Sequence, residues 1–274
     1  MKLFRGTPIF IKGILIAGML SACQNENDTA IAPQAPTSTS DQNARIALAA
    51  GTLIKDGNVD LSYNSQSILP WKETYPNGYN VFVYAPQLIT VKGYKYGVPA
   101  TETKYTLDAS GRCVQTVTNW ATYIYEYNAS GQLSACYNKF KPKERRQFTY
   151  APDAIGWKKS LSIVSFYDEF GVRTKELLFG YGGASGIPDN HPLNPDVLPS
   201  GISKYLPIFG SFNSYLVTCV LEDKYASNGQ KTSSNKYFYS YTLDYAGKAN
   251  NITIKRPDGT LVSSTDRKYF TPKF

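Results

Sequence analysis

A chain of 274 residues has the length for one large β domain or two small ones, with enough material to bury a core. Aromatic residues make up 14% of it, with 22 tyrosines against 2 methionines, a bias toward side chains that pack on pleated surfaces and away from long amphipathic helices. A single histidine excludes a zinc site built on histidines. The formal charge of +8 is scattered along the chain, which gives no basic stripe of the kind nucleic-acid binding requires.

Residues 1–22 read as an address. Lys2 and Arg5 open it, and an apolar run over 13–22 follows. That run is too short to cross a bilayer as a helix, which takes about 20 residues. It ends in Leu20-Ser21-Ala22-Cys23, which resembles the bacterial lipobox. The resemblance implies a lipid (palmitate-type acylation) on Cys23, cleavage before it, and membrane attachment through several acyl chains, which anchor durably where one does not. Loss of Lys2, Arg5 and Lys12 with the leader takes the charge from +8 to +5. Residues 23–51 are then the lipidated cysteine and a tether of Gln, Asn, Thr, Ser, Ala and Pro with little to bury. Glu26 and Asp28 just after Cys23 resemble the export signal that sends lipoproteins of Bacteroidetes-type bacteria to the outer face of the outer membrane. The expected location is the outer membrane, facing the cell surface or the periplasm.

Residues 52–274 form the expected β domain, its start left open because 44–54 fits a short helix as well as an entering strand. Asp56-Gly57 reads as a tight turn, and 59–63 alternates cleanly as a strand. After the Pro76-Asn77-Gly78 turn, 79–84 and 88–91 read as strands with both faces covered. From 103 to 181 one hairpin pattern dominates: Asp or Asn, two residues, then Gly. It occurs as Asp108 with Gly111, Asn128 with Gly131, Asp153 with Gly156 and Asp168 with Gly171, and again as Asp244 with Gly247. The Asx side chain caps a type I turn, and the Gly takes the left-handed conformation that closes a bulged hairpin. Only 15 positions separate Gly156 from Gly171, so one of those turns belongs at the opposite sheet edge. The densest cations, Lys141-Pro142-Lys143-Glu144-Arg145-Arg146, could meet phosphate or an anionic surface, but read first as a solvated loop between strands.

Residues 180–210 break the pattern with Pro188, Pro192, Pro195, Pro199 and Pro207. A long structureless segment inside a domain is uncommon and often functional, and it reads as a mobile, exposed loop or lid. Strands return over 215–221, 237–245, 251–255 and 261–270. The turns resemble tyrosine–aspartate (YD, Rhs-type) repeats. The mature chain as a whole resembles a family of Bacteroidetes lipoproteins of unknown function with a porin-like, curved antiparallel sheet. The expected fold is all-β: successive antiparallel hairpins forming a curved sheet or partial barrel.

No catalytic residues, metal ligands or cofactor are expected. Gly183-Ala184-Ser185-Gly186-Ile187 approaches a nucleophile elbow but lacks the last glycine and the strand-to-helix setting, which weakens Ser185 with His191 as a pair. Cys113, Cys136 and Cys219 lack metal spacing and read as small buried strand residues; a strand between Cys113 and Cys136 disfavours their pairing. Two rows of tyrosine remain as binding candidates, Tyr123, Tyr125 and Tyr127 on one strand face and Tyr237, Tyr239 and Tyr241 on another. Each row serves either cross-strand packing or a platform for a glycan or envelope protein. Two functions stay open: an anchored, non-enzymatic binding or scaffolding lipoprotein of the envelope, or an envelope hydrolase acting on glycans through carboxylates assembled by the fold.

Overall fold

The computed structural model describes residues 49–64, 69–152, 159–182 and 186–271. The leader, Cys23, the tether up to 48, the Asp153 and Gly156 turn, and Ser185 lie outside the described residues. From Arg45 onward the chain forms a compact unit of its own.

Sixteen strands run β1 (Leu53–Asp56), β2 (Val59–Tyr63), β3 (Pro70–Tyr75), β4 (Gly78–Ala85), β5 (Leu88–Lys95) and β6 (Val98–Leu107). They continue as β7 (Cys113–Val117), β8 (Thr122–Tyr127), β9 (Leu133–Asn138), β10 (Lys141–Tyr150), β11 (Leu161–Tyr167) and β12 (Arg173–Gly180). The last are β13 (Cys219–Tyr225), β14 (Lys231–Leu243), β15 (Ala249–Lys255) and β16 (Leu261–Tyr269). Each pairs antiparallel with its neighbour in sequence, and β1 pairs with β16, so the expected curved sheet closes into a complete barrel. Closure removes every edge strand.

The turn chemistry is the one the spacing dictates. At Asp108 the carboxylate Oδ1 accepts the Ser110 and Arg112 N–H groups at 2.9 Å, and the Gly111 N–H bonds the Asp108 carbonyl at 3.0 Å. Asn128, Asp168 and Asp244 repeat this frame. Gly111, Gly131, Gly171 and Gly247 sit at φ between 73° and 83°, and the pairing register slips by one at each hairpin, the bulge such turns carry.

Strict antiparallel order sends the turns alternately to two rims. The hairpins β1–β2, β3–β4 and so on to β15–β16 share a far rim. Both ends of the barrel chain, the Asp108, Asn128 and Asp244 turns and the β12–β13 connection share the terminal rim. The Asp168 turn therefore lies opposite the Asn128 turn, as the short spacing required.

Three expectations are corrected. Strands β4 and β5 do not have both faces covered: Phe82, Ile89 and Val91 are buried, whereas Val83 and Leu88 are exposed. The cation-rich run is not a loop but the start of β10, because its alternation points Arg146 inward, 5.3 Å over the Phe166 ring, while Lys141 pairs with Glu169 at 2.7 Å. The segment after β12 is not an exposed lid. It folds into the barrel, where Leu206 and Phe209 are fully buried, because its apolar residues fill a lumen that sixteen strands would otherwise leave open to water.

Candidate functional site

The plug, residues 186–218, runs the length of the lumen. Near the terminal rim Pro188 bridges Tyr215, and at the far rim Gly201 backs against the Trp120 ring. Main-chain bonds tie its return leg to the wall: Cys113 N–H to Ile208 O at 2.7 Å, Leu161 N–H to Phe212 O at 2.7 Å, and Tyr239 N–H to Thr218 O at 2.9 Å. Gly210, at φ 79°, passes so close to the β8–β9 turn that a Cβ would lie 2.7 Å from the Gly131 carbonyl oxygen. Only glycine fits there.

On one side the plug is packed solid. Leu206, Ile208, Phe209 and Phe212 bury against inward residues of β4–β11, among them Tyr105, Leu133 and Val164. Tyr125 meets Phe209 at 5.0 Å between ring centroids, and Phe148 meets Phe212 at 6.0 Å. Two buried carboxylates fasten the tip of the plug. Glu73 on β3 accepts from the hydroxyls of Tyr75 and Ser203 and from Asn80 Nδ2 at 3.1 Å. Asp56 on β1 accepts from Tyr205 Oη at 3.0 Å, Arg267 Nε at 2.9 Å and Lys204 Nζ at 2.5 Å. Burial alone would raise the Asp56 pKa, but Lys204 and Arg267 outweigh it and hold the carboxyl below its ordinary value.

On the other side the plug stands off the wall and leaves a cavity of about 310 Å³ facing β12–β16. Its floor is apolar, with Leu177, Phe179, Ile252 and Ile254. Its polar groups converge from both sides: Tyr239, Tyr241 and Arg267 from the wall, Asp189, Asn194 and Asp196 from the plug. Burial pushes the Asp189 carboxyl upward, against the His191 N–H that it accepts at 3.0 Å and the Arg267 charge. Burial, with Arg267 and Lys248 nearby, lowers the His191 imidazole to about 4, and its ring stands edge-on to Tyr269. An apolar cavity with a few converging polar groups is the usual form of a small-molecule site. A larger open basin at the far rim, about 440 Å³ beside Tyr123, Arg145 and Phe170, is lined by side chains already engaged with one another, such as Arg145 over Tyr167 at 5.3 Å.

Both tyrosine rows face the lumen, and they do different things. Tyr125 is core, Tyr127 donates to Cys113 O at 2.7 Å beneath the Arg112 guanidinium, and Tyr123 lines the far-rim basin. Of the second row, Tyr239 and Tyr241 line the cavity, with Tyr241 Oη donating to Val217 O at 2.6 Å, and Tyr237 shares their face. Cys113 and Cys136 are buried on β7 and β9 with β8 between them, and with Cys219 they are free thiols. His191 sits on the plug, but its expected partner Ser185 lies outside the described residues. Sequence reasoning missed Asp56, Glu73, Asp189, Asp196 and Arg267. Asp56 was legible only as a turn residue before Gly57. An acid inside the alternating β3 run was the one available hint for Glu73.

The outer wall is mixed: Val83 and Phe238 are exposed on it and Leu178 faces Leu221, beside polar pairs. Ser165 pairs with Glu176 at 2.9 Å, Ser234 with Asp223 at 2.7 Å, Asn251 with Asp266 at 2.7 Å, and Lys55 with Asp60 at 3.0 Å.

Neither a protein-family profile nor a curated protein matches the chain. Among solved structures it is similar to a porin-like protein from Bacteroides uniformis, with a TM-score of 0.51 at 17% identity, over 77% of this chain and 89% of that one. A porin-like protein from Bacteroides vulgatus gives a TM-score of 0.55 at 13% identity, over 80% and 98%. The chain shares their porin-like fold.

Proposed function

We propose that the chain is a lipid-anchored, non-enzymatic binding protein of the bacterial envelope, with its ligand held in the lumen cavity. The observation that carries this reading is the cavity itself, where Tyr239 and Tyr241 face Asp189 and Asp196 over an apolar floor. Flat rings opposite hydrogen-bonding carboxylates and amides suit a short glycan, whose C–H faces stack and whose hydroxyls bond. The anchor reading rests on Leu20-Ser21-Ala22-Cys23. The location that follows is the outer membrane, cell surface or periplasm-facing, with an envelope glycan or protein as partner and no role for nucleic acid.

A glycan array with residues 45–274 tests the site. Binding that falls with Tyr239→Ala at unchanged melting temperature supports it; binding indifferent to Tyr239, Asp189 and Asp196 sinks it. For the anchor, Cys23→Ala must abolish palmitate labelling. The second reading, a glycan hydrolase, is favoured by three carboxylates in one cavity, Asp56, Asp189 and Asp196, with Asp189 raised as a general acid requires. Polysaccharide turnover abolished by Asp189→Asn or Asp196→Asn decides for that reading against the binding one.

A further inference from the structure

The far rim carries a second surface, independent of the lumen ligand and of any lipid on Cys23. Four consecutive hairpin tips, β5–β6, β7–β8, β9–β10 and β11–β12, each raise one aromatic ring into solvent. Tyr96 is 74% exposed, Trp120 61%, Phe140 77% and Phe170 73%. One exposed ring needs no explanation, but four in series along one rim do.

The turns themselves do not call for rings. The Asp108 and Asn128 turns on the terminal rim have the same hydrogen-bonded frame as the Asp168 turn, yet carry Ser110 and Ser130 where it carries Phe170. Among the described residues the terminal rim shows a single comparable ring, Tyr245. At Tyr96 the ring is kept against backbone preference. Its φ is +51°, in the left-handed region that bulky residues rarely occupy and that Asn or Gly would fill at this place in a two-residue hairpin.

Adjacent tips are two strands apart, about 10 Å along the rim, so the four rings span about 30 Å. A small ligand cannot bridge that distance, and a protein interface would favour one contiguous apolar patch at its centre. Lysines are interleaved with the rings: Lys95, Lys139, Lys141 and Lys143, against Asp168 and Glu169. Lys141 is paired with Glu169 at 2.7 Å and Asp168 keeps its charge, so Lys95, Lys139 and Lys143 leave these tips with a cationic excess. Separated aromatic rings with lysines between them match the headgroup layer of a bilayer, where rings settle at the interface and cations meet lipid phosphates.

We infer that the far rim docks on an anionic lipid bilayer, with Tyr96, Trp120, Phe140 and Phe170 at headgroup depth. Cys23 is separated from β1 by residues 24–52, whose full extension on the order of 90 Å exceeds the roughly 33 Å length of a ten-residue strand, so one bilayer can take both the anchor and the rim.

The test uses residues 45–274, without leader or lipid, and vesicles of phosphatidylglycerol with phosphatidylcholine. In a Trp71→Phe, Trp157→Phe background Trp120 is the sole indole, and brominated lipid is expected to quench it. Replacing Tyr96 by Asn and Phe140 and Phe170 by Ala together is expected to lower vesicle partitioning at least about tenfold with no loss in melting temperature, since these rings are exposed and Asn suits the left-handed φ at 96. Four outcomes overturn the inference: no sedimentation of the parent barrel, sedimentation without Trp120 quenching, a triple variant that partitions like the parent, or self-association lost in the triple variant without vesicle binding. The last would make the rim an interface between copies.

Discussion

The two sides of the plug differ in kind. Against β4–β11 it meets the wall ring to ring, with Leu206 and Phe209 fully excluded from water. Against β12–β16 it meets the wall across a cavity rimmed by carboxylates, tyrosines and an arginine. The first side is what a core requires, since close packing maximises buried area and dispersion contacts. The second leaves space unfilled and polar groups facing it, which stability alone does not favour. The solid side explains why the barrel holds its plug, and the open side holds the proposed binding cavity.

The largest expected effect breaks the solid side. Phe209→Ala removes a ring packed against Tyr105 and Tyr125 and should cost about 3–5 kcal/mol, lowering the melting temperature on the order of 10 °C. Chemical denaturation of residues 45–274 measures it, and a cost below about 1 kcal/mol would mean that the plug is not part of the core.

Asp56→Asn comes next. It leaves Arg267 and the plug's Lys204 without their carboxylate, an expected loss of about 3 kcal/mol, the low end for a broken buried pair because Lys204 is partly exposed. The folded pKa of Asp56 is depressed, so its contribution is complete above the unfolded value near 3.8 and drains away as pH falls through the folded one. Acid denaturation of the variant should therefore lack that component of the wild-type transition.

His191 sharpens the comparison on the open side. Its folded pKa is about 4 against 6.5 for a free histidine, so the fold holds it neutral. The unfolded chain takes up that proton first, and stability should fall as pH drops from 6.5 to 4, by at most about 1.4 kcal/mol per unit and less where solvent screens it. The slope should vanish in His191→Gln relative to wild type, a comparison that leaves the opposing raised Asp189 in both proteins. Nuclear magnetic resonance reads the imidazole directly, as the chain has one histidine.

The smallest effect is expected at Tyr239→Phe. With its ring on the cavity wall, the hydroxyl contributes less than about 0.5 kcal/mol to folding. A large stability loss there would place Tyr239 with Tyr125, in the core, and remove the distinction between the two sides.

Local chemistry was legible in the sequence. Asp108, Asn128, Asp168 and Asp244 with their glycines specify bulged hairpins through contacts within five residues, so turn positions and the all-β class needed no tertiary information. Alternation placed most strands, and it put each tyrosine row on one face. The tertiary structure alone decided which face that was, because the lumen exists only once β1 meets β16. It also decided the fate of residues 186–218: their prolines and glycines read as a surface loop, whereas the barrel offered Leu206 and Phe209 an apolar interior and their backbone a wall to bond. The site followed from the same closure. Asp56 and Arg267 lie 211 positions apart in the chain, and no local pattern encodes a contact that forms only when the first strand pairs with the last.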